Sequence, residues 1–409
     1  MKILVLGTGA QGTTVAKRLD EEPGVSSIIC ADYNMEAVNE LTGILTKAEG
    51  MKCNAYNVDE IINCAQGVDL IVNALPLEFG KNVLDAALAV KANYQDFSST
   101  TAFDEDVNIG WIRGMKYQFE VYSPKFEEIG RLAIIGTGSA PGVICCATRD
   151  AMKYLDTCDT IYNFVWEGVK ANRFQPFWWS PETAIQDMSE PAYTYENGEL
   201  FIRPPFEDPI KRKYDYMEHE VTFLNHCHDE PVQYALNADK YFKGCKNAYF
   251  KYAGTGMDFA EPLYRAGLFD HEEREIKGRK VVPFDVIVES IPKPPKFEEE
   301  IREIIEEGME ADDGCMVVEA YGKKDGKDIL VENHVFAPGI VEAFERAKMT
   351  GEMYLTGQGG YLFSKMFING DFDQCGLISS DMLSFEQVDR YFEYAAELGI
   401  RLETIVKEI

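Results

Sequence analysis

The chain has 409 residues, 46% of them hydrophobic, enough to bury a large core and to build two domains. Its 40 basic against 69 acidic side chains leave a net charge of -29, which repels nucleic acid and anionic membrane surfaces, so neither is an expected partner. No stretch approaches the roughly 18 apolar residues needed to cross a bilayer, and the first strand starts at Met1, so a soluble, cytoplasmic protein is expected, acting on small molecules.

Ile3 to Leu6 is a continuous apolar run, as in a strand buried on both faces of a parallel sheet, and it leads directly into Gly7-Thr8-Gly9-Ala10-Gln11-Gly12. A helix follows. Gly7 permits a tight turn, Gly9 removes the Cβ that would block a pyrophosphate, and Gly12 lets the helix pack close to the strand, its amino end facing the anion. The loop, with Ala10 and Gln11 between its glycines, reads as a phosphate cradle. A second strand, Ser27 to Ala31, ends at Asp32, where a carboxylate accepts both ribose hydroxyls and repels a 2′-phosphate. Tyr33 and Asn34 bring no basic group, so NAD is the expected cofactor, with NADP left open to a basic residue elsewhere in the fold.

Met35 to Ala48 has helical spacing, and Met51 to Val58 looks like a strand. Val68 to Leu75 is a fourth strand ending in Asn73-Ala74-Leu75-Pro76, followed by a helix from Gly80 to Val90. Asn93 to Phe97 is a fifth, ending in Asp96-Phe97-Ser98-Ser99-Thr100. Polar residues at the carboxyl ends of such strands line the crevice where a doubly wound sheet holds its ligand, which marks Asn73 to Pro76 and Ser98 as cofactor positions. Leu132 to Ile135 leads through Gly136-Thr137-Gly138-Ser139-Ala140-Pro141-Gly142 into an apolar helix, Val143 to Met152. That small-residue segment fits either backbone lying against a ligand or a crowded junction.

Beyond Thr160 the pattern changes to short aromatic-rich strands: Ile161 to Trp166, Tyr214 to Leu224, Val281 to Ser290, Cys315 to Tyr321 and Ile329 to His334. A mixed or antiparallel sheet is expected there. Phe297 to Glu310 is an acidic helix, and Lys323-Lys324-Asp325-Gly326 a hairpin turn. Helical spacing returns at Val341 to Lys348 and Phe385 to Leu398, around a glycine-rich stretch, Thr356 to Tyr361, that either cradles a ligand or lets helices approach. The ten scattered cysteines, including the vicinal Cys145-Cys146, read as reduced buried thiols.

At this point the chain resembles the saccharopine dehydrogenase-like family, and within it the lysine 6-dehydrogenase branch. The resemblance rests on MKILVLGTGAQG, Val68 to Pro76 (VDLIVNALP), Ser139 to Ile144 (SAPGVI), Phe177-Trp178-Trp179-Ser180-Pro181-Glu182 and Tyr249-Phe250-Lys251-Tyr252-Ala253-Gly254. It implies an α/β protein with a Rossmann domain over 1-138, completed by carboxyl-terminal helices within 336-409, and an inserted α/β substrate and dimerisation domain over 139-335 built on a mixed sheet. It also implies a homo-oligomer, dimer or tetramer. Family members make or cleave a C–N bond at an amino acid's amino group, using NAD(P) for hydride transfer. Saccharopine reductases carry an acidic residue before PG and Arg after WSP, where this chain has Ala140 and Glu182; a carboxylate at 182 suits an ammonium group, which leans toward lysine. The family's basic-Tyr-Pro-Gly-His motif appears as Lys251-Tyr252-Ala253-Gly254-Thr255, without its histidine, and Trp178 and Trp179 are bulkier than usual.

Two activities follow as expectations: oxidative deamination of a side-chain amine, and condensation of an amine with a carbonyl compound; a non-catalytic NAD-binding protein is the third alternative. Amine oxidation needs a base, and Asp96 is the candidate, as base or ammonium anchor, against a carboxylate that merely caps the next helix. Glu78 is an alternative base. Glu182 is the second catalytic candidate, and Arg173 and Lys251 are candidates to hold a substrate carboxylate, against surface ion pairs. His226 and His228 fall on one face if the strand continues through them, but a turn after Leu224 accounts for the polar run and no metal is expected.

Overall fold

A computed structural model describes residues 1–99 and 107–409, so Thr100 lies outside the described residues. The chain forms two compact units: residues 1–153 with 355–398, and residues 154–354 with 399–409. The first includes the helix after the small-residue segment, so the boundary expected at 138/139 falls after Lys153, and the return expected at 336 begins at Leu355.

The first unit alternates strand and helix: β1 (Lys2–Leu6), α1 (Ala10–Glu21), β2 (Ser27–Asp32), α2 (Met35–Thr42), β3 (Ala48–Lys52), α3 (Val58–Cys64), β4 (Leu70–Asn73), α4 (Gly80–Val90), β5 (Asn93–Asp96), β6 (Leu132–Ile135) and α5 (Val143–Ala151). The sheet is parallel in the order β6-β5-β4-β1-β2-β3, and a seventh strand, Gly376–Ser379, pairs with β6. Strand order reverses between β1 and β4, which leaves a crevice at their carboxyl ends. Leu4, Leu6, Ile71, Tyr94 and Ile135 face Ile61 of α3 and Val83, Leu84 and Ala87 of α4 in one apolar cluster. Gln95 points to the opposite face, where its side chain bonds Gly360 C=O and Ser364 of the helix Gly351–Asn369. Burial on both faces is why these strands read as unbroken apolar runs.

The expected helix Met35 to Ala48 is shorter, because Ala48 already opens β3, and Val58 opens α3 rather than closing a strand. The glycine-rich Thr356 to Tyr361 stretch lies inside the helix Gly351–Asn369. A Cβ on Gly357 would sit 2.4 Å from Thr14 Cγ2, and one on Gly360 2.4 Å from the Phe97 ring, so these glycines serve close packing. The Gly136 to Gly142 segment is crowded in the same way: a Cβ on Gly359 would stand 2.8 Å from Gly138 C=O. Cys145 and Cys146 are fully buried in α5.

In the second unit a mixed sheet joins β7 (Thr157–Glu167), β8 (Ala192–Glu196), β9 (Glu199–Arg203), β10 (Ile210–Arg212), β11 (Val221–Asn225), β12 (Asn247–Gly254), β13 (Gly314–Lys324), β14 (Lys327–Phe336) and β15 (Arg401–Glu408). Its main order is β9-β8-β12-β7-β13-β14-β15; β11 pairs with β12 and carries β10. β12 and β7 run parallel, and the other neighbours named here antiparallel. The unit also contains the helix α6 (Pro181–Ser189). Phe164, Phe223, Val317 and Tyr214 form the core of one sheet face, where Arg212 grips Glu319 at 2.8 and 2.9 Å and the Tyr214 hydroxyl donates to the same carboxylate. The expected hairpin is present, with Asp325 and Gly326 both at positive φ as a tight two-residue turn requires.

Three expectations are corrected here. Val281 to Ser290 is largely a helix, Pro283–Ser290: Pro283 fixes φ for a first helical turn and overrides the β-branched residues. Of Tyr214 to Leu224 only the end is strand, because Tyr214 to Met217 forms a turn closed by Met217 N–H to Tyr214 C=O. The region 336-409 is not all helical, since it supplies Gly376–Ser379 to the first sheet and β15 to the second.

Candidate active site

The cradle is built where β1 ends. Gly7 has φ +91° and a Cβ there would sit 2.7 Å from Ala74 C=O; on Gly12 it would sit 1.9 Å from Gly7 C=O. Both positions demand glycine for close packing of loop, strand and helix. Gly9 differs: its φ of -73° suits any residue, and a Cβ there would meet nothing within 4 Å. The open space before Gly9 faces the start of α1, whose first-turn amides at Ala10, Gln11 and Gly12 have no acceptor within the helix. Gln11 Oε1 is buried without a hydrogen-bond partner. A bare backbone, free amides and an orphaned polar atom fit a dinucleotide pyrophosphate.

Asp32 closes β2. Its Oδ2 accepts from Thr8 N–H at 2.8 Å and its Oδ1 from Asn34 N–H at 3.0 Å, so the carboxylate is fixed beside the loop with lone pairs left for a ribose. Asn34 caps α2, and Tyr33 is exposed.

At the ends of β4 and β5, Asn73 donates to Asp96 Oδ2 at 3.0 Å and to the Tyr94 hydroxyl at 3.1 Å, while its own Oδ1 accepts from Leu75 N–H. Ala74 N–H donates to Leu6 C=O, tying β4 to β1, and Pro76 starts the short turn Leu77–Phe79. Asp96 is buried. It accepts from Tyr94, Asn73 and the Ser98 amide, whose own C=O receives Gly136 N–H. Loss of water pushes its pKa up to about 6, and these donors hold it from rising further. Asp96 thus accepts from an amide two residues on in a turn, not from the first turn of a helix, and with Asn73 and the Ser98 C=O it locks three strand ends together. Glu78 accepts from the Tyr56 hydroxyl at 2.7 Å on the exposed surface.

The candidates of the second unit have separate partners. Glu182 is exposed in the first turn of α6, behind the Ser180 cap. Arg173 forms a forked ion pair with Glu307. Lys251 is fully buried, and its ammonium donates to Asp208 Oδ2, Asp208 C=O and Asn225 Oδ1 at 2.6 to 2.7 Å. Burial lowers its pKa, with Asp208 opposing. Its three protons are all used, which corrects the expectation that Lys251 holds a substrate carboxylate. His226 and His228 follow the end of β11: His226 Nδ1 meets Cys227 C=O, and His228 Nδ1 meets Glu230 Oε2 at 2.6 Å. Among the described residues no group of three or more such ligands could hold a metal.

One pair escaped the sequence reading. Glu167 ends β7 and Tyr252 lies near the end of the parallel β12, with the tyrosine hydroxyl donating to the carboxylate. The available signal was an acidic residue closing an apolar strand just before Gly168, the same signature that marked Asp32.

Residues 3–120 match the family described as the saccharopine dehydrogenase NADP binding domain. Over nearly the whole chain there is 24% identity to a carboxynorspermidine synthase of Vibrio alginolyticus, covering 98% of this chain and 96% of that protein. A carboxyaminopropylagmatine dehydrogenase of Synechocystis is 22% identical, covering 99% and 98%. The structure superposes on apo saccharopine dehydrogenase (L-Glu forming) of Saccharomyces cerevisiae with a TM-score of 0.71 at 12% identity, covering 99% of each chain. The chain thus has the fold of saccharopine dehydrogenase, and its residues 3–120 are similar to that family's NADP binding domain.

Proposed function

We propose that the protein is an NAD(P)H-dependent reductase that joins a primary amine to a carbonyl compound and reduces the resulting imine to a secondary amine. The observation that carries this reading is end-to-end similarity to two proteins named for carboxylated polyamines, on a chain whose first unit has a dinucleotide cradle open at Gly9. Disconnecting such products at the secondary amine leaves a diamine or agmatine and an amino-acid semialdehyde. The relatives' names favour this reading over oxidative deamination of lysine.

In this reading the Gly7 to Gly12 loop, with Ala10 and Gln11, receives the pyrophosphate, and Asp32 takes the ribose hydroxyls. The backbone from Asn73 through Ala74 and Leu75 to Pro76, with Ser98, shapes the crevice at the strand ends. The bound cofactor supplies the hydride. Asp96 acts by holding Asn73 and Ser98 in place, and Glu182 and Arg173 stay as candidates to meet charged ends of the substrates.

The test is NADH and NADPH oxidation with 1,3-diaminopropane or agmatine as amine and aspartate semialdehyde as carbonyl. Oxidation should require both partners. Reduction of NAD by lysine alone, or oxidation indifferent to the amine, would overturn the proposal.

A further inference from the structure

The parallel pair β7 and β12 ends in a feature that neither packing nor the dinucleotide explains. Gly254 stands opposite Glu167 in the register, and with φ +154° a Cβ there would fall 2.2 Å from Glu167 C=O, so the two strand ends are pressed together. The Glu167 side chain is half-buried, reachable but largely stripped of water, and it accepts from the Tyr252 hydroxyl. His226 stands 4.9 Å from the Tyr252 ring, and Trp179 meets that ring edge-on at 6.4 Å. The stretches Phe177 to Glu182 and Lys251 to Gly254 thus meet at Tyr252, the residue that donates to this carboxyl. Carboxyl ends of parallel strands are where α/β sheets present ligand-binding groups.

We propose that Glu167, positioned by Tyr252, exchanges the proton of the substrate amine. The inference rests on the reading of the protein as an amine-condensing reductase. Glu167 carboxylate accepts a proton from R–NH3⁺, leaving R–NH2 to attack R′–CHO. The carbinolamine then loses its hydroxyl with the proton returned by Glu167, giving the iminium R–NH⁺=CHR′ and water. Hydride from the reduced dinucleotide and one solvent proton complete R–NH2⁺–CH2R′. Tyr252 is a positioning residue.

The groups facing Glu167 make it suited to this exchange near neutrality. Desolvation raises its pKa to about 7; the Tyr252 hydrogen bond pulls it back, and the Glu352 carboxylate pushes it up. Behind Tyr252, burial and the neighbouring His228 imidazolium, 5.7 Å away, hold His226 neutral, with a pKa lowered to about 3, and His228 itself is paired with Glu230.

The experiment compares wild type, Glu167→Gln, Glu167→Asp and Tyr252→Phe. Glu167→Gln should keep NADPH affinity within about twofold and lose about 100-fold or more in kcat/KM for the amine, together with the rise in rate around pH 7. Glu167→Asp should keep that rise, displaced in pH. Tyr252→Phe should move it to higher pH, because the carboxylate loses a donor. Calorimetry of agmatine binding to the NADPH complex at pH 7, in buffers of different ionisation enthalpy, should show proton release that Glu167→Gln abolishes. Turnover with an unchanged pH profile in Glu167→Gln overturns this inference and leaves the condensing reading standing. Proton release without turnover overturns the condensing reading and keeps Glu167 as the amine's partner. Neither signal overturns both.

Discussion

At the scale of single residues the glycine loop separates folding from binding. Gly12→Ala places a methyl 1.9 Å from Gly7 C=O and should cost about 1–3 kcal/mol of stability. Gly9→Ala meets open space at an ordinary φ and should change stability by less than about 0.5 kcal/mol. It should nonetheless weaken dinucleotide binding about tenfold, because its methyl occupies the ground a phosphate needs. Thermal unfolding and NADH titration of both variants would distinguish the two roles, and equal loss of binding at equal stability would contradict the assignment. The glycine spacing and Asp32 were legible because backbone conformation and strand-end placement are written in local sequence. Lys251 was not, since nothing nearby announces that Asp208 and Asn225, distant in the chain, consume its protons.

Elements were legible where one period dominates. The apolar runs of β1, β2, β4 and β6 are strands because burial on both faces tolerates no polar interruption. Pro283–Ser290 misled because Val282, Val286, Ile287 and Val288 carry strand propensity, while the decisive signal, proline at a first helical turn, is a single residue. β15 went unrecognised because an edge strand with mixed charges reads as a polar tail; only pairing with β14 from Ile329–Glu408 to Phe336–Arg401 makes it a strand. Removing residues 400–409 should bare the β14 edge, lower the melting temperature by several degrees and increase aggregation. A truncated chain that melts like the full one would show that β15 adds nothing to its sheet.

For the whole molecule, stability follows pH through a few buried groups. Asp96, raised to about 6, and Glu167 and Asp187, each raised to about 7, favour their protonated forms in the fold. Each contributes stability below its unfolded value and loses it as pH climbs through the folded one. His228, raised to about 9 chiefly by Glu230 against the opposing effect of burial, gives stability that is complete below 6.5 and lost between there and 9. The melting temperature should therefore fall from pH 6.5 to 9, and His228→Asn should flatten that decline. The same slope in the variant would assign the loss to general repulsion in a chain of net charge -29.

The interleaving of the chain has a consequence for its biosynthesis. The dinucleotide sheet receives its seventh strand from Gly376–Ser379, and the other sheet its border strand from Arg401–Glu408. Until those stretches clear the ribosomal tunnel, the nascent polypeptide carries two sheets with unprotected rims. Maturation of both halves thus waits until residues through Glu408 have been made, and until then a chaperone's shelter is worth most.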